Sequence, residues 1–185
     1  MIRLRGGDFN YSDVEIQGMC EDVKYFKSNG ADGIVFGCLN ENYQIDEEKC
    51  RKILAAWDTN KPATFHRAFD ETKVEDIEEN VRLIASMGFT RLLTSGFECS
   101  AEQGIENLKE IQKHAKVVNL IVLPGAGVTK ENAELILRET NCTEIHASAR
   151  SARSIATKLS LGGEKVMICD RTKVEEICQI LKSIS

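Results

Sequence analysis

Ala63-Thr64-Phe65-His66-Arg67-Ala68-Phe69-Asp70 is the most informative stretch of this chain. Side chains alternate faces along a strand. Thr64 and His66 therefore share one face, and Ala63 and Phe65 the other. The same division recurs at Ile2-Arg3-Leu4-Arg5 and at Glu144-Ile145-His146-Ala147-Ser148. Three strands thus carry one apolar and one polar face. In an open doubly wound sheet both faces meet helices, and a polar row there is costly. In a barrel the polar row can turn inward toward the mouth, where such folds place their active sites. The alternation favours an α/β architecture of the (β/α) TIM-barrel type.

Outward from this stretch, β-rich apolar runs alternate with helical patterns. Strands are expected near 1–5, 32–38, 62–66, 90–94, 118–123 and 143–147, with starts about 25–31 residues apart, the pitch of repeated βα units. Short apolar runs such as Gly33-Ile34-Val35-Phe36 suit a covered parallel sheet. Ser12-x-x-Glu15, Thr72-x-x-Glu75, Ser100-x-x-Gln103 and Thr172-x-x-Glu175 fit capping boxes. Asp46 and Thr129 fit simple N-caps, and Gly30 and Gly88 stand where helices should stop. A complete barrel has eight strands in about 250 residues. The expectation is one incomplete TIM-barrel-like domain over residues 1–185, with about six parallel strands.

The chain has 185 residues, 24 basic and 29 acidic side chains, and a net charge of −5. That length can bury a sizeable core, and the mild acidity gives no reason to expect nucleic acid or an anionic membrane as partner. No run approaches a membrane span. The best, Val117 to Val128, is broken by Asn119 and Pro124. The first eight residues hold no apolar signal-like region, so a cytoplasmic protein is expected. Seven cysteines without a Cys-x-x-Cys pair argue against a zinc ribbon or a disulfide framework, and read as reduced, buried thiols. Cys20, Cys50 and Cys178 fall on apolar helix stripes.

Residues able to carry chemistry cluster at strand ends. His66, Arg67 and Asp70 supply an imidazole, a guanidinium and a carboxylate within five residues, the parts of an acid–base or anion site. A loop ion pair of Arg67 with Asp70 is the plain structural alternative. His146 ends the last expected strand in the same style. These four are the catalytic candidates. Pro124-Gly125-Ala126-Gly127-Val128-Thr129 offers small residues before a helix start, an anion-binding arrangement. With Ser148 and Arg150 beyond His146, Thr94 and Ser95 after the fourth strand, and Arg3, Arg5 and Asp8 at the front, Gly125 and Gly127 complete a set of candidate anion-binding residues. Cys38, a strand-end thiol, is a weak candidate for a soft metal.

Five motifs, in order, resemble the CutC copper homeostasis family. They are Arg3-Leu4-Arg5-Gly6-Gly7-Asp8-Phe9, Thr64 to Asp70, Leu92-Leu93-Thr94-Ser95-Gly96, Pro124 to Val128 and His146-Ala147-Ser148-Ala149-Arg150. The resemblance implies a cytosolic (β/α) barrel linked to copper handling, with copper(I) as ligand. In the family two further βα units precede the Arg-Gly-Gly-Asp strand and hold the cysteines suggested as copper ligands. None of the seven cysteines here matches those. Leu4 stands where the family usually has proline. Three functions follow as expectations: intracellular copper(I) binding, a barrel enzyme for a small phosphorylated or carboxylated substrate, or a non-catalytic short form. If two units are missing, open edges should favour a homo-oligomer or pairing with longer subunits.

Overall fold

The computed structural model describes residues 1–57, 60–154 and 165–184. Its centre is a parallel sheet of β1 (Ile34–Phe36), β2 (Ala63–Phe65), β3 (Arg91–Thr94) and β4 (Ile121–Pro124), in that spatial order. The register pairs Ile34 with Ala63, Phe65 with Leu92, and Leu92 with Val122. Helices α1 (Asp13–Ser28), α2 (Glu47–Ala56), α3 (Ile77–Met87), α4 (Ile105–Val117) and α5 (Ala133–Thr140) alternate with the strands, and α6 (Arg171–Ile184) ends the chain.

The apolar rows explain the layering. Ile34, Phe36, Ala63, Phe65, Leu92 and Val122 lie on one sheet face and are buried, as are Met19, Val23, Ile53, Val81, Ile84, Leu108, Ile111 and Ile136 of the helices. Burying each such large side chain contributes roughly 1.5–3 kcal/mol. The opposite face carries Val35, Thr64, Arg91, Leu93, Ile121 and Leu123, of which only Thr64 is fully buried. One face is thus sealed by helices while the other stays partly open, the asymmetry expected of a barrel interior.

The strand count differs from expectation. Residues 1–5 and 143–147 form no regular strand. Each touches the sheet edge through one backbone bond, from Ile2 N to Val35 O (2.8 Å) and from His146 N to Pro124 O (2.9 Å). The sequential order of six segments survives, but only four build a ladder. An antiparallel hairpin that the pattern did not suggest follows, β5 (Arg150–Ser154) with β6 (Lys165–Cys169).

The caps divide in the same way. Ser12 and Glu15 form the full box, Asp46 accepts from Lys49 N at 3.0 Å, and Gly88 ends α3 in the left-handed region at φ 100°. Thr72 instead donates to Phe69 O at 2.9 Å, and α3 begins at Ile77 behind a short 3-10 turn. Ser100 accepts from Gln103 N in a turn, and α4 starts later at Ile105. Thr129 precedes the Asn132 cap of α5, and α6 is capped by Asp170, which accepts from Thr172 N at 3.0 Å. The seven cysteines are free. Cys38, Cys50 and Cys142 are buried and Cys20 is half-buried, but Cys99, Cys169 and Cys178 are exposed, so the uniformly buried reading does not hold.

Candidate functional site

The C-terminal ends of the strands gather most of the candidate residues. His66 follows β2 and is 4% exposed. Its Nδ1 accepts from Ala68 N–H at 3.2 Å, which opens a 3-10 turn at Arg67–Glu71. Gly37 makes room for the ring: a Cβ there would lie 2.8 Å from His66 Nδ1. Burial, with the nearby Arg3 charge, pushes the His66 pKa down to about 4, so the ring is neutral near pH 7. The Phe9 ring packs tilted against it at 4.8 Å, and the Arg3 guanidinium lies 4.6 Å over the same Phe9.

Arg67 and Asp70 do form the ion pair, with Arg67 Nε donating to Asp70 Oδ2 at 2.7 Å. The Asp70 carboxylate accepts more: Ser95 N at 3.1 Å, Ser95 Oγ at 3.1 Å, Phe97 N at 3.3 Å, and the Thr94 hydroxyl. Arg67 also donates to Ser95 Oγ at 2.8 Å. Asp70, Thr94 and Ser95 therefore satisfy one another and clamp the turn after β2 to the end of β3. Such saturation leaves the carboxylate few lone pairs to accept a hydrogen bond from a ligand.

Arg5 is likewise engaged, to Glu15 at 2.6 Å, to Asp8 at 3.0 Å and to Asn10 O at 2.7 Å. The Arg5 guanidinium beside Asp8 holds that carboxyl below its usual range. His146 is exposed and sits beside Gly125, where an added Cβ would lie 3.3 Å from His146 Cβ and 2.6 Å from Leu93 Cδ1. Strands β3 and β4 lie between His66 and His146. The structure brings Gly127, Thr129, Ser148 and Arg150 around one cavity of about 440 Å³, with Lys130 and Lys173. Both lysines are occupied, Lys173 by Arg150 O at 2.9 Å and Lys130 by Glu176 at 2.6 Å.

Cys38 is fully buried at the end of β1, beside Cys50 of α2, whose Sγ lies 3.9 Å from Cys38 O. The neighbouring Cys50 thiol and burial raise the Cys38 pKa far above its ordinary value. Among the described residues no three His, Cys, Asp or Glu side chains group as a metal cluster would require. Tyr11, buried with its hydroxyl unbonded, was missed in the sequence. It stands directly before the Ser12 cap, where an aromatic side chain reads as a hydrophobic staple.

The CutC family model matches residues 1–151. The chain belongs to the CutC family. Along its whole length this CutC chain is 40% identical to a Homo sapiens protein named copper homeostasis protein cutC homolog, of which it covers 70%. A Drosophila melanogaster protein of the same name is 45% identical over 78% of the CutC chain and 54% of its own length. A Streptococcus agalactiae protein described as copper homeostasis protein CutC superposes with a TM-score of 0.74 at 33% identity, covering 78% of this chain and 69% of that one. The four-stranded parallel CutC sheet with alternating helices is therefore TIM-barrel-like.

Proposed function

We propose that this chain serves copper homeostasis in the cytoplasm by binding copper(I). The carrying observation is the 40% identity, across the whole chain, to a protein named for copper homeostasis. Cys38 and Cys50 are the residues with the best chemistry for the ion. Two adjacent thiols suit a soft monovalent metal. Both must lose their protons on binding, so affinity should rise with pH. A dry, fully buried pair would also shield copper(I) from water and oxidant. No helix among the described residues is long and apolar enough to cross a membrane, and self-association belongs to the same reading.

The test is anaerobic copper(I) titration against a competing chelator, with mass measurement of the complex. One tightly held ion per chain is expected, lost in Cys38→Ala and in Cys50→Ala. Absence of stoichiometric binding would overturn the reading. Binding unchanged in both variants would move the site elsewhere.

A further inference from the structure

Three polar atoms near the mouth are buried and make no hydrogen bond among the described residues: Nε of Arg3, the hydroxyl of Tyr11 and Nε2 of His66. Tyr11 is 1% and His66 4% exposed. They share one neighbourhood. The Phe9 ring touches both Arg3 and His66. The Arg3 charge acts on His66, and its guanidinium lies close enough to Tyr11 to act on the hydroxyl oxygen, which leaves the hydroxyl proton without an acceptor.

All three atoms are donors. Because His66 Nδ1 accepts from Ala68 N–H, the single proton of the neutral ring is assigned to Nε2. The Arg3 guanidinium only donates. Burial raises the Tyr11 pKa, so its hydroxyl keeps its proton. Arg3 also gives one bond to Gly7 O at 2.6 Å, yet no carboxylate among the described residues pairs with it. An unmade bond at a buried donor costs about 1–3 kcal/mol. Three such donors, one of them on a cation without a carboxylate partner, match an acceptor that carries negative charge.

The surroundings narrow the choice. A cavity of about 410 Å³ adjoins the Phe9 ring, lined also by Gly7, Asp8, Glu41 and Glu71. Phe9 both lines that cavity and touches Arg3 and His66, and Gly7, two residues before it, has φ 88°. Asp8 is neutralised by Arg5, but Glu41 and Glu71 disfavour a ligand with a second negative charge. We propose that Arg3, Tyr11 and His66 bind the carboxylate of a small monocarboxylate ligand, with Phe9 as the side chain that moves aside. The site is independent of the two thiols assigned to copper(I).

Acetate and inorganic phosphate serve as probes, titrated into the full chain labelled with 15N at histidine. Acetate should shift the His66 Nε2 signal saturably, and phosphate should bind more weakly. Tyr11→Phe removes a buried hydroxyl whose proton has no acceptor, so its Tm should stay close to that of the parent while acetate affinity falls about tenfold. His66→Asn keeps an acceptor for Ala68 N–H but loses the Nε2 donor, and should weaken acetate similarly while leaving copper(I) binding unchanged. Phosphate binding tighter than acetate would overturn the monocarboxylate assignment. A His66 signal unmoved by acetate, or parental affinity in Tyr11→Phe, would overturn the site itself.

Discussion

Arg91 and Glu144, 53 residues apart, meet in a two-pronged ion pair: Nε and one terminal nitrogen of Arg91 each donate to a separate Glu144 oxygen at 2.9 Å. Arg91 is the first residue of β3, so the pair lies at the opposite end of the sheet from His66. It ties the segment after α5 to a strand with which it forms no ladder. Bidentate geometry favours the contact, but the side chains are 31% and 36% exposed, which limits its worth. Glu144→Gln is expected to cost about 0.5–1 kcal/mol. Urea denaturation, with a double-mutant cycle through Arg91→Met, checks both the size and the coupling.

Asp70 should behave differently. Its side chain is 6% exposed, and its removal strands the Ser95 and Phe97 amides together with the Thr94 hydroxyl. Asp70→Ala is expected to destabilise by about 3–5 kcal/mol. Arg67→Met, at a partner that is 43% exposed, should cost about 1 kcal/mol or less. Chemical denaturation of the two variants gives the comparison.

The pH dependence follows from His66. Its folded pKa of about 4 lies below the unfolded value of 6.5. Between these the unfolded chain binds the extra proton, so stability is full above pH 6.5 and falls as pH drops toward 4. Over that interval the parent should lose up to about 3 kcal/mol more than His66→Asn. Denaturation midpoints across the range provide the check.

Soaking with sulfate or phosphate should place an ion in the cavity between Gly127 and Arg150. The cost is release of Lys173 from Arg150 O and of Lys130 from Glu176. Crystals in which the ion binds elsewhere and leaves this cavity empty would remove Gly127, Ser148 and Arg150 from the functional set.

The flanking segments should be the least protected part of the sheet. Residues 1–5 and 143–147 each show one bond to it, against continuous ladders at β2 and β3. Hydrogen exchange is expected to be faster at the flanks than at Phe65 or Leu92. Sedimentation should show concentration-dependent self-association, since Leu4 at the front and Met167 in the hairpin are both largely exposed.

How much of this was legible depended on how local the signal was. The Ser12 box needs only four residues and formed as read. The Thr72 and Thr172 boxes failed because a nearer partner took the hydroxyl or the amide: Phe69 O in one case and the Asp170 carboxylate in the other. Alternation at 1–5 and 143–147 read as strands; the structure places both segments beside the sheet with one bond each and no ladder, because a ladder depends on a neighbour that alternation cannot specify. The polar parity held for His66 and Arg3 at the mouth. For Glu144 it marked a structural pair with Arg91 at the far end. Tyr11 escaped because an aromatic before a helix cap has an ordinary packing role, and only the burial of its hydroxyl without a partner sets it apart.

The sheet order β1-β2-β3-β4 follows the chain, each strand lying beside the next in sequence. Each βα unit meets its partner strand as soon as the next unit is complete, so loop closures stay short and contact order stays low for a parallel sheet. Assembly can then advance from the amino end during synthesis, one unit docking on the last as the ribosome extends the chain. A single strand that failed to pair would halt everything behind it. The steep step should come at β2, where Ala63, Thr64 and Phe65 are all buried and both neighbours must be in register.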